Sequence, residues 1–364
     1  MMKKIDILVI GAGQAGLSLG YYLQQQNVSF LLIDSSQNIG DIWRYRYDSL
    51  VLYTPRFYSA LPGLRISGDQ WDYPTKDEIA DYLADYQRHF SIPVSLNTNL
   101  YRMKKTATGF LVETSQGEFE AQKVVIATGP FQNPYIPSIA ENLSNEIYQI
   151  HTSSYHNPSQ LPEGPVLVIG GGSSGGQIAV ECSKDREVYL AISSKINYLP
   201  YKFLGRSLFW WYDKLGLLKK GPETILGKRM KGKPDPMYGF ILKKLVKSGA
   251  IKVKPRAIEA MNDEVEFADQ TKLKIKTIVW ATGFISDYSW AEIPELFDYD
   301  GKVIQDRGIS NVPGLYFLGL PWQTSRGSGL IGWVGRDAKF ISEQVVSSHA
   351  QQVQIKKEET FSAM

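Results

Sequence analysis

The stretch Ile5–Ser35 reads IDILVIGAGQAGLSLGYYLQQQNVSFLLIDS, and it decides the fold. The apolar, β-branched run Ile5–Ile10 predicts a buried strand, which breaks into the glycine-rich turn GAGQAG. A helix is predicted next, and a second apolar run, Val28–Ile33, predicts another strand that ends on Asp34. The order strand, glycine turn, helix, strand and acid is typical of a dinucleotide-binding unit.

The glycines of this turn have separate tasks. Gly11 allows the tight turn, Gly13 lets backbone N–H groups approach a pyrophosphate, and Gly16 lets the helix pack closely on the strand. Asp34 would accept hydrogen bonds from ribose hydroxyl groups. The neighbouring residues assigned to the same nucleotide site are Gln14, Ala15 and Ser35.

The pattern returns in the second half of the chain. A strand predicted at Val166–Ile169 leads into a second GxGxxG turn and a helix, and another strand is predicted at Val188–Ile192. In each half a later strand runs into the tripeptide ATG. One polypeptide therefore carries two dinucleotide-binding units. The further residues predicted to line the two turns are Ala127, Thr128, Gly129, Gly170, Gly172, Ser173, Ser174, Gly175, Ala281, Thr282 and Gly283.

The two units differ in the residues that follow their second strand. Asp34 would hold a bare ribose 2′-hydroxyl and repel a 2′-phosphate, whereas Ser193, Ser194 and Lys195 repel neither. The first unit is therefore predicted to bind the adenosine of FAD. The second is predicted to bind NADPH or NADH, without an enforced preference for NADH. The alternative for these three residues is an ordinary solvated strand end.

Composition limits the function classes. With 40 basic and 37 acidic residues, the net charge of +3 is too balanced to indicate nucleic acid or an anionic membrane as a partner. A single cysteine, Cys182, excludes dithiol reductases, which need a cysteine pair, and we expect it to be a buried packing thiol. No metal site, signal peptide or membrane span is predicted, so we expect a cytoplasmic protein. A homodimer is compatible with the sequence.

With both glycine motifs in view, the chain resembles the two-dinucleotide-domain flavoproteins. Among these it is similar to the flavin-containing monooxygenases, and especially to a short bacterial branch associated with cation efflux and related to plant YUCCA-type enzymes. The segments that carry the resemblance are GxxWR at Gly40, Trp43 and Arg44, DSLVLYTP at 48–55, PTKDE at 74–78, and GLYFLGLPWQTSRGSGLIGWVGRDA at 314–338.

The resemblance implies an enzyme in which NAD(P)H reduces a bound FAD. The reduced flavin would react with dioxygen at C4a, and the resulting hydroperoxide would oxygenate a small soft nucleophile, such as a sulfide or amine, or a ketone. By position, the residues implied along the flavin and adenine are Gly40, Trp43, Arg44, Thr54, Leu100 and Gly319. Those implied at the reacting side are Tyr53, Trp322, Gln323 and Arg326.

One position departs from the family pattern. Tyr53 stands where many members have an asparagine beside the flavin, and a phenol cannot make the same hydrogen bonds. This departure keeps two alternatives open, an NAD(P)H oxidase or electron-transfer reductase, and a regulatory protein that senses flavin redox state. His151, from the family's HxxxY segment, is interpreted as a structural donor rather than a catalytic acid.

The expected fold class is α/β, with two Rossmann-like domains arranged as in glutathione reductase. Residues 1–160 and 284–364 are predicted to form the FAD domain, and 161–283 the NAD(P) domain. Smaller expectations are a helix over Asp77–Phe90 capped by Thr75, a domain crossing over Pro130–Pro165, and a helix rather than a site over Met237–Leu245. The aromatic stretch Tyr198–Phe240 has two interpretations. It is either a substrate lid or subunit contact, or a helical hairpin whose aromatic side chains form an ordinary hydrophobic core.

Overall fold

The computed structural model describes residues 2–26 and 28–347, which form two α/β units. The first unit is built on a nine-stranded sheet whose centre is parallel. In spatial order its main strands are Gln305–Asp306, Ile309–Ser310, Leu315–Phe317, Gly117–Ile126, Lys3–Ile10, Phe30–Ile33 and Val94–Ser95. The strands Leu100–Lys105 and Phe110–Thr114 extend Gly117–Ile126 as an antiparallel meander.

The second unit is built on a five-stranded parallel sheet. In spatial order its strands are Ile251–Lys254, Val188–Ala191, Val166–Ile169, Thr277–Trp280 and Tyr148–His151. A separate antiparallel sheet contains Ala257–Met261, Glu264–Phe267 and Lys272–Lys274. Two-stranded pairs join Tyr198–Leu199 to Met237–Tyr238, Lys202–Phe203 to Arg206–Ser207, and Asn133–Pro134 to Phe284–Ile285.

Helices cover these sheets. The α-helices are Gln14–Gln24, Asp41–Arg44, Arg56–Ser59, Lys76–His89, Ser173–Cys182, Leu208–Lys214, Ile225–Lys231 and Ile241–Ser248, with a further helix over 334–347. The 3-10 helices are Ser138–Asn142, Pro158–Gln160, Leu217–Lys219, Pro294–Leu296 and Arg326–Gly329. In the described part of the chain, no helix is long and apolar enough to cross a bilayer.

Both central sheets are buried on both faces, as their unbroken apolar strands predict. In the first strand, Ile7 and Val9 join one core cluster, and Leu8 and Ile10 join the cluster on the opposite face. The strand Val166–Ile169 divides its side chains between two clusters in the same way. Because successive side chains point to opposite faces, both faces of each strand are buried. Each glycine turn therefore begins at the end of a strand that lies inside the packed layers.

Three sequence expectations need correction. The segment Pro130–Pro165 is more than a crossing, because Tyr148–His151 inside it pairs with Thr277–Trp280 at the edge of the second sheet. Met237–Leu245 is not one helix, because Gly239 adopts φ +84° and separates a short strand from the helix that begins at Ile241. The predicted strand Val28–Ile33 begins only at Phe30.

The limits of the two predicted domains stay a prediction, and residues 348–364 of the first domain lie outside the described residues. The membership of Tyr148–His151 in the second sheet favours a second domain that begins before Tyr148. Two linkers join the units, and they pair with each other through Asn133–Pro134 and Phe284–Ile285. The Arg46 guanidinium lies 5.1 Å from the ring centroid of Phe284 and 5.3 Å from that of Phe131, which contacts both linkers with one cation.

The helix Lys76–His89 begins at Thr75, as predicted. The Thr75 hydroxyl accepts a hydrogen bond from the Glu78 amide over 3.3 Å, and the Glu78 carboxylate accepts one from the Thr75 amide over 2.8 Å. This reciprocal capping box satisfies two amides at the start of the helix.

Replacing Thr75 with alanine should lower the free energy of unfolding by about 1 kcal/mol, because an amide in the first helical turn loses its acceptor. Urea denaturation of the FAD-loaded protein measures the change. The matched control is Thr108→Ala, at an exposed threonine in a loop, which should change the midpoint little. Equal midpoints for the two variants would contradict a stabilising role for the cap.

Candidate active site

The first glycine turn is fixed by close backbone contacts. The Gly11 amide donates a hydrogen bond to the Ile33 carbonyl over 2.8 Å, which ties the turn to the second strand. A Cβ atom on Gly11 would lie 2.6 Å from the Ala127 carbonyl oxygen, and one on Gly16 would lie 1.9 Å from the Gly11 carbonyl oxygen. Neither position has room for a side chain, so the motif is required by packing before any ligand is considered.

The second glycine turn repeats this geometry. The Gly170 amide donates to the Ala191 carbonyl over 2.9 Å. A Cβ on Gly170 would lie 2.2 Å from the Ala281 carbonyl oxygen, and one on Gly175 would lie 1.9 Å from the Gly170 carbonyl oxygen. Each ATG tripeptide therefore places its alanine carbonyl beneath the first glycine of its own unit.

The middle glycine of each motif has a different environment. A Cβ on Gly13 or Gly172 would meet no atom within 4 Å. Both residues are the N-caps of their helices, and neither helix has a side-chain cap at this end. Uncapped amides at a helix N-terminus that faces open space form the arrangement that binds phosphate groups. The two turns thus fit the pyrophosphates of two dinucleotides.

The acid of the first unit is held in place by the backbone. The Asp34 carboxylate accepts hydrogen bonds from the amides of Ala12 over 2.7 Å and Ser36 over 2.8 Å. The Thr98 amide also donates to the Asp34 carbonyl over 2.8 Å, which brings the segment leading to Leu100 to this end of the strand. Ser35, beside the acid, is exposed. These residues gather around the position expected for an adenosine ribose.

The second unit has no acid at the matching position. Ser193, Ser194 and Lys195 follow the strand Val188–Ala191, and all three are exposed. The asymmetry predicted between the two units is therefore kept in the folded chain: a fixed carboxylate lies at one strand end, and hydroxyl groups and an ammonium group lie at the other.

Two of the residues implied along the flavin, Trp43 and Gly319, lie at the first glycine turn. The Trp43 indole donates a hydrogen bond to the Gln14 side chain over 3.3 Å. A Cβ on Gly319 would lie 3.0 Å from the Ala15 methyl group, so the C-terminal loop packs against the start of the first helix. The start of that helix is thus lined by Trp43 on one side and by the backbone of Gly319 on another.

Other predicted cofactor residues are occupied elsewhere. Arg44 forms an ion pair with Asp81 over 2.9 Å, and the buried Thr54 hydroxyl lies 2.7 Å from the Ser59 hydroxyl. Gly40 has φ +90°, and a Cβ there would lie 2.4 Å from a backbone oxygen of the helix Lys76–His89. These contacts within the protein account for an arginine, a threonine and a glycine at the three positions. A contact of these residues with the flavin stays a prediction.

The two tripeptides also hold the linkers. Gln132 donates a hydrogen bond to the Thr128 hydroxyl over 2.9 Å and to the Gly129 carbonyl over 2.9 Å. In the second unit, the Thr282 hydroxyl donates to the carbonyl of Tyr135. The ATG segments therefore connect the nucleotide turns to the domain crossing.

Tyr53 lies where the two units meet. Its hydroxyl donates a hydrogen bond to the Met237 sulfur over 3.3 Å, and its ring centroid lies 5.3 Å from that of Tyr238. Burial raises the pKa of Tyr53 far above the usual value of a phenol, and hydrogen bonding to Ser173 and Gln177 only partly opposes this shift. The phenol is protonated at neutral pH, as an unperturbed phenol also is, and it acts as a donor beside the second glycine turn.

Sequence reasoning missed the contacts that hold this seam. The Tyr47 hydroxyl donates to the Gln177 side-chain oxygen over 2.5 Å, and the Gln177 amide group donates to the Val51 carbonyl over 3.4 Å. Burial raises the pKa of Tyr47 to about 12. The available signal for Gln177 was its place one helical turn after Ser173 on the same face. Met237 gave no such signal.

Comparison with known proteins agrees with this geometry. The model of the pyridine nucleotide-disulphide oxidoreductase family matches residues 8–198. The chain belongs to this family. A CzcO-like oxidoreductase from Geobacillus kaustophilus is 52% identical, and the match covers 95% of this chain and 100% of the relative.

More distant family relatives include monooxygenases. The indole-3-pyruvate monooxygenase YUCCA6 from Arabidopsis thaliana is 28% identical, over 96% of this chain and 92% of that protein. A flavin-containing monooxygenase from Stenotrophomonas maltophilia matches with a TM-score of 0.80 and 25% identity, over 95% and 99% of the two chains. The predicted flavoprotein monooxygenase-like class, the α/β fold, the enzymatic nature and the cofactor pair of FAD with NAD(P)H are thereby confirmed.

In this family member the C-terminal loop is held by its own side chains. The buried Gln323 amide group donates to the carbonyls of Phe317 over 3.0 Å and Arg307 over 3.3 Å, and its oxygen accepts from the Leu320 amide over 3.2 Å. Both ends of the amide are thus engaged with backbone. This favours a structural task for Gln323, whose catalytic role stays a prediction.

Arg326 is also engaged. Its guanidinium forms an ion pair with Asp235 over 2.5 Å and lies 5.5 Å from the Trp322 ring centroid. Trp322 itself has φ +58°, so the loop reverses direction at this residue. The geometry links the loop to the segment before Met237, and a flavin-side charge for Arg326 stays a prediction.

His151 and Cys182 have the structural environments that the sequence suggested. The His151 ring nitrogens lie 2.9 Å from the Ser153 hydroxyl and 3.0 Å from the Gly283 carbonyl, and burial lowers the pKa of His151. Cys182 is a buried free thiol 3.6 Å from the Tyr155 hydroxyl, and burial raises its pKa. A neutral, high-pKa thiol is a poor redox nucleophile.

The aromatic stretch Tyr198–Phe240 docks on the first unit. Phe209 packs in one small cluster with Tyr58, Leu218 and Trp333. Part of the stretch remains open to solvent, since Ile225 is 90% exposed. The stretch contains two short strand pairs beside its helices, so it is not simply a helical hairpin, and a lid or subunit contact stays a prediction.

A cleft of about 220 Å³ opens beside Tyr53 at the seam. Its apolar wall includes Val51, Val180 and Leu242, and its charged lining residues are Glu181 and Lys184. The volume is small, so the cleft suits a compact organic molecule rather than a polymer.

Replacing the middle glycine of each motif with alanine should show which nucleotide each turn binds. Gly13→Ala should fold normally, because its methyl group meets no protein atom, but it should weaken FAD binding at least about tenfold by occupying the phosphate position. Gly172→Ala should retain FAD and raise the KM for NAD(P)H. Flavin content after dialysis and steady-state kinetics measure both effects.

Gly16→Ala is the contrasting variant, because its methyl group would lie 1.9 Å from the Gly11 carbonyl oxygen. It should lower stability strongly even before FAD is considered. Flavin loss in Gly172→Ala with FAD retention in Gly13→Ala would reverse the assignment of the two units.

Proposed function

We propose that this protein is an NAD(P)H-consuming, FAD-dependent monooxygenase of a small soft nucleophile, a sulfide or amine, or of a ketone. The observation that carries the proposal is the seam, where Gln177 beside the second glycine turn bonds to Tyr47 and Val51 of the first unit. These bonds hold the two nucleotide-binding units against each other, as hydride transfer between their ligands would require. Cys182 is the one cysteine of the sequence and is buried, so the chain has no dithiol to receive electrons.

The chain's own residues bind and orient the cofactors. Gly13 and the amides of its helix would hold the FAD pyrophosphate, Asp34 would accept from its ribose, and Trp43 would lie along it. Gly172 and Ser173 would hold the nicotinamide dinucleotide. When bound, FAD supplies hydride acceptance and the activation of dioxygen. The cleft beside Tyr53 would exclude water from a small substrate.

The second candidate function is an NAD(P)H oxidase or electron-transfer reductase. Tyr53 favours it, because this residue replaces the asparagine of many family members. Its hydroxyl donates to the Met237 sulfur and cannot make the hydrogen bonds of an asparagine amide. The two candidates differ in the fate of the electrons. The cytoplasmic location and the homodimer stay predictions.

The test is the coupling ratio of the FAD-loaded enzyme. NADPH consumption, hydrogen peroxide and sulfoxide are measured together, with methyl phenyl sulfide as the probe. Sulfoxide equal to most of the NADPH consumed supports the monooxygenase. The measurement is repeated with an amine and with a ketone as the probe. If hydrogen peroxide equals the NADPH consumed with every probe, the result supports the oxidase.

Replacing Tyr53 with asparagine should lower the fraction of NADPH recovered as hydrogen peroxide at least about threefold, because the asparagine amide offers both donor and acceptor groups where the phenol donates its one proton to the Met237 sulfur. Tyr53→Phe is the matched control, since it keeps the ring packing on Tyr238 and removes only the hydroxyl. An unchanged peroxide fraction in Tyr53→Asn would mean that Tyr53 does not govern coupling.

Lys195 is the residue proposed to lie near the 2′ position of the nicotinamide dinucleotide. Lys195→Glu should lower kcat/KM for NADPH at least about tenfold and leave kcat/KM for NADH within about twofold, because a carboxylate repels the 2′-phosphate. Lys247→Glu, on the exposed surface of the same unit, is the control. A fall that is equal for both nucleotides would show that Lys195 does not contact the 2′ position.

A further inference from the structure

A second cavity lies apart from the nucleotide turns. It has a volume of about 210 Å³, and three exposed cationic side chains line it: Lys219, Arg307 and Arg336. They come from three separate segments, namely the docked aromatic stretch, the hairpin at 305–310 and the helix over 334–347. It shares no lining residue with the cleft beside Tyr53.

The three cations are unpaired. Within the ranges 2–26 and 28–347, none of them forms a salt bridge. The Arg307 guanidinium lies 4.4 Å from the Phe340 ring centroid, which orients it at the cavity wall. Two guanidinium groups and an ammonium group share this cavity with a single carboxylate, that of Asp337, so the excess positive charge attracts an oxyanion.

The cavity also contains a buried group with an unused oxygen. Asp337 is 2% exposed and lines the cavity. One of its carboxylate oxygens accepts a hydrogen bond from the Thr324 hydroxyl, and the other, Oδ2, has no partner in the described chain. Burial raises the pKa of Asp337. A buried carboxylate oxygen without a donor is costly, and a hydroxyl group of a ligand would satisfy it.

We propose that this cavity binds a small phosphate ester that carries a free hydroxyl group. The phosphate would lie between Arg307, Arg336 and Lys219, and the hydroxyl would donate to Oδ2 of Asp337. The volume equals about seven water molecules, which leaves room for a phosphate and a short polyol chain.

A ligand in this cavity would contact segments that are attached to the C-terminal loop, which is the loop implied beside the flavin. The Arg326 amide donates to the Lys220 carbonyl over 2.9 Å, so the segment that carries Lys219 is attached to the C-terminal loop. The Arg307 carbonyl accepts from Gln323 of that loop. A ligand held by Lys219 and Arg307 would therefore stabilise the loop that begins at Gly319.

The test uses the FAD-loaded full-length protein and glycerol 3-phosphate as the probe. Isothermal titration should give a dissociation constant below about 1 mM. At saturating probe the unfolding midpoint should rise by about 3 °C. Inorganic phosphate should bind more weakly because it lacks the polyol. Sodium sulfate at equal ionic strength should give less than about a third of the midpoint shift, since it offers no hydroxyl donor.

Variants locate the site. Arg307→Gln and Arg336→Gln should each weaken binding about tenfold, and Lys339→Ala, an exposed cation of the same helix that does not line the cavity, should leave it unchanged. Asp337→Asn should reduce the preference for glycerol 3-phosphate over sulfate. If that variant does not fold, the two arginine variants still decide.

Two results would overturn the proposal. One is an affinity for glycerol 3-phosphate that is the same in Arg307→Gln, Arg336→Gln and the unchanged protein. The other is an equal midpoint shift with sulfate and with glycerol 3-phosphate, which would reduce the effect to general screening of charge. Both results are independent of the monooxygenase test, because neither involves turnover.

Discussion

The structure depends on one close contact made twice, that of a helix start against the glycine turn that precedes it. Gly16 packs on the Gly11 carbonyl and Gly175 on the Gly170 carbonyl, with no space for a side chain in either case. This contact fixes the direction of each helix relative to its strand. As a result, the uncapped amides at Gly13 and Gly172 point out of the packed layer, where a phosphate can reach them.

The seam holds the two nucleotide-binding units against each other. Its hydrogen bonds join Tyr47 to Gln177 and Tyr53 to Met237, and Arg46, next to Tyr47, contacts the paired linkers. Burial raises the pKa values of Tyr47 and Tyr53, so their hydroxyl groups are neutral donors at the seam, where Glu181 and Lys184 line the adjoining cleft.

Sequence patterns predicted the parts of this arrangement that depend on near neighbours. The strands Lys3–Ile10 and Val166–Ile169, the cap at Thr75 and both glycine turns are encoded within short segments, and they were found with errors of about two residues at their ends. Tyr148–His151 was missed because a four-residue strand in a stretch rich in Pro, Asn and Ser has a weak pattern of its own. It is a strand because Thr277–Trp280 offers it a sheet edge.

By itself, the sequence determined that the chain has two dinucleotide-binding units, that one carries an acid and the other Ser193 to Lys195, and that no cysteine pair is present. Only the tertiary structure decided which side chains meet. Tyr47 and Gln177 are 130 positions apart, and Tyr53 and Met237 are 184 apart. Periodicity reports the burial of a residue along its own element, whereas contacts between distant elements follow from how the finished layers pack.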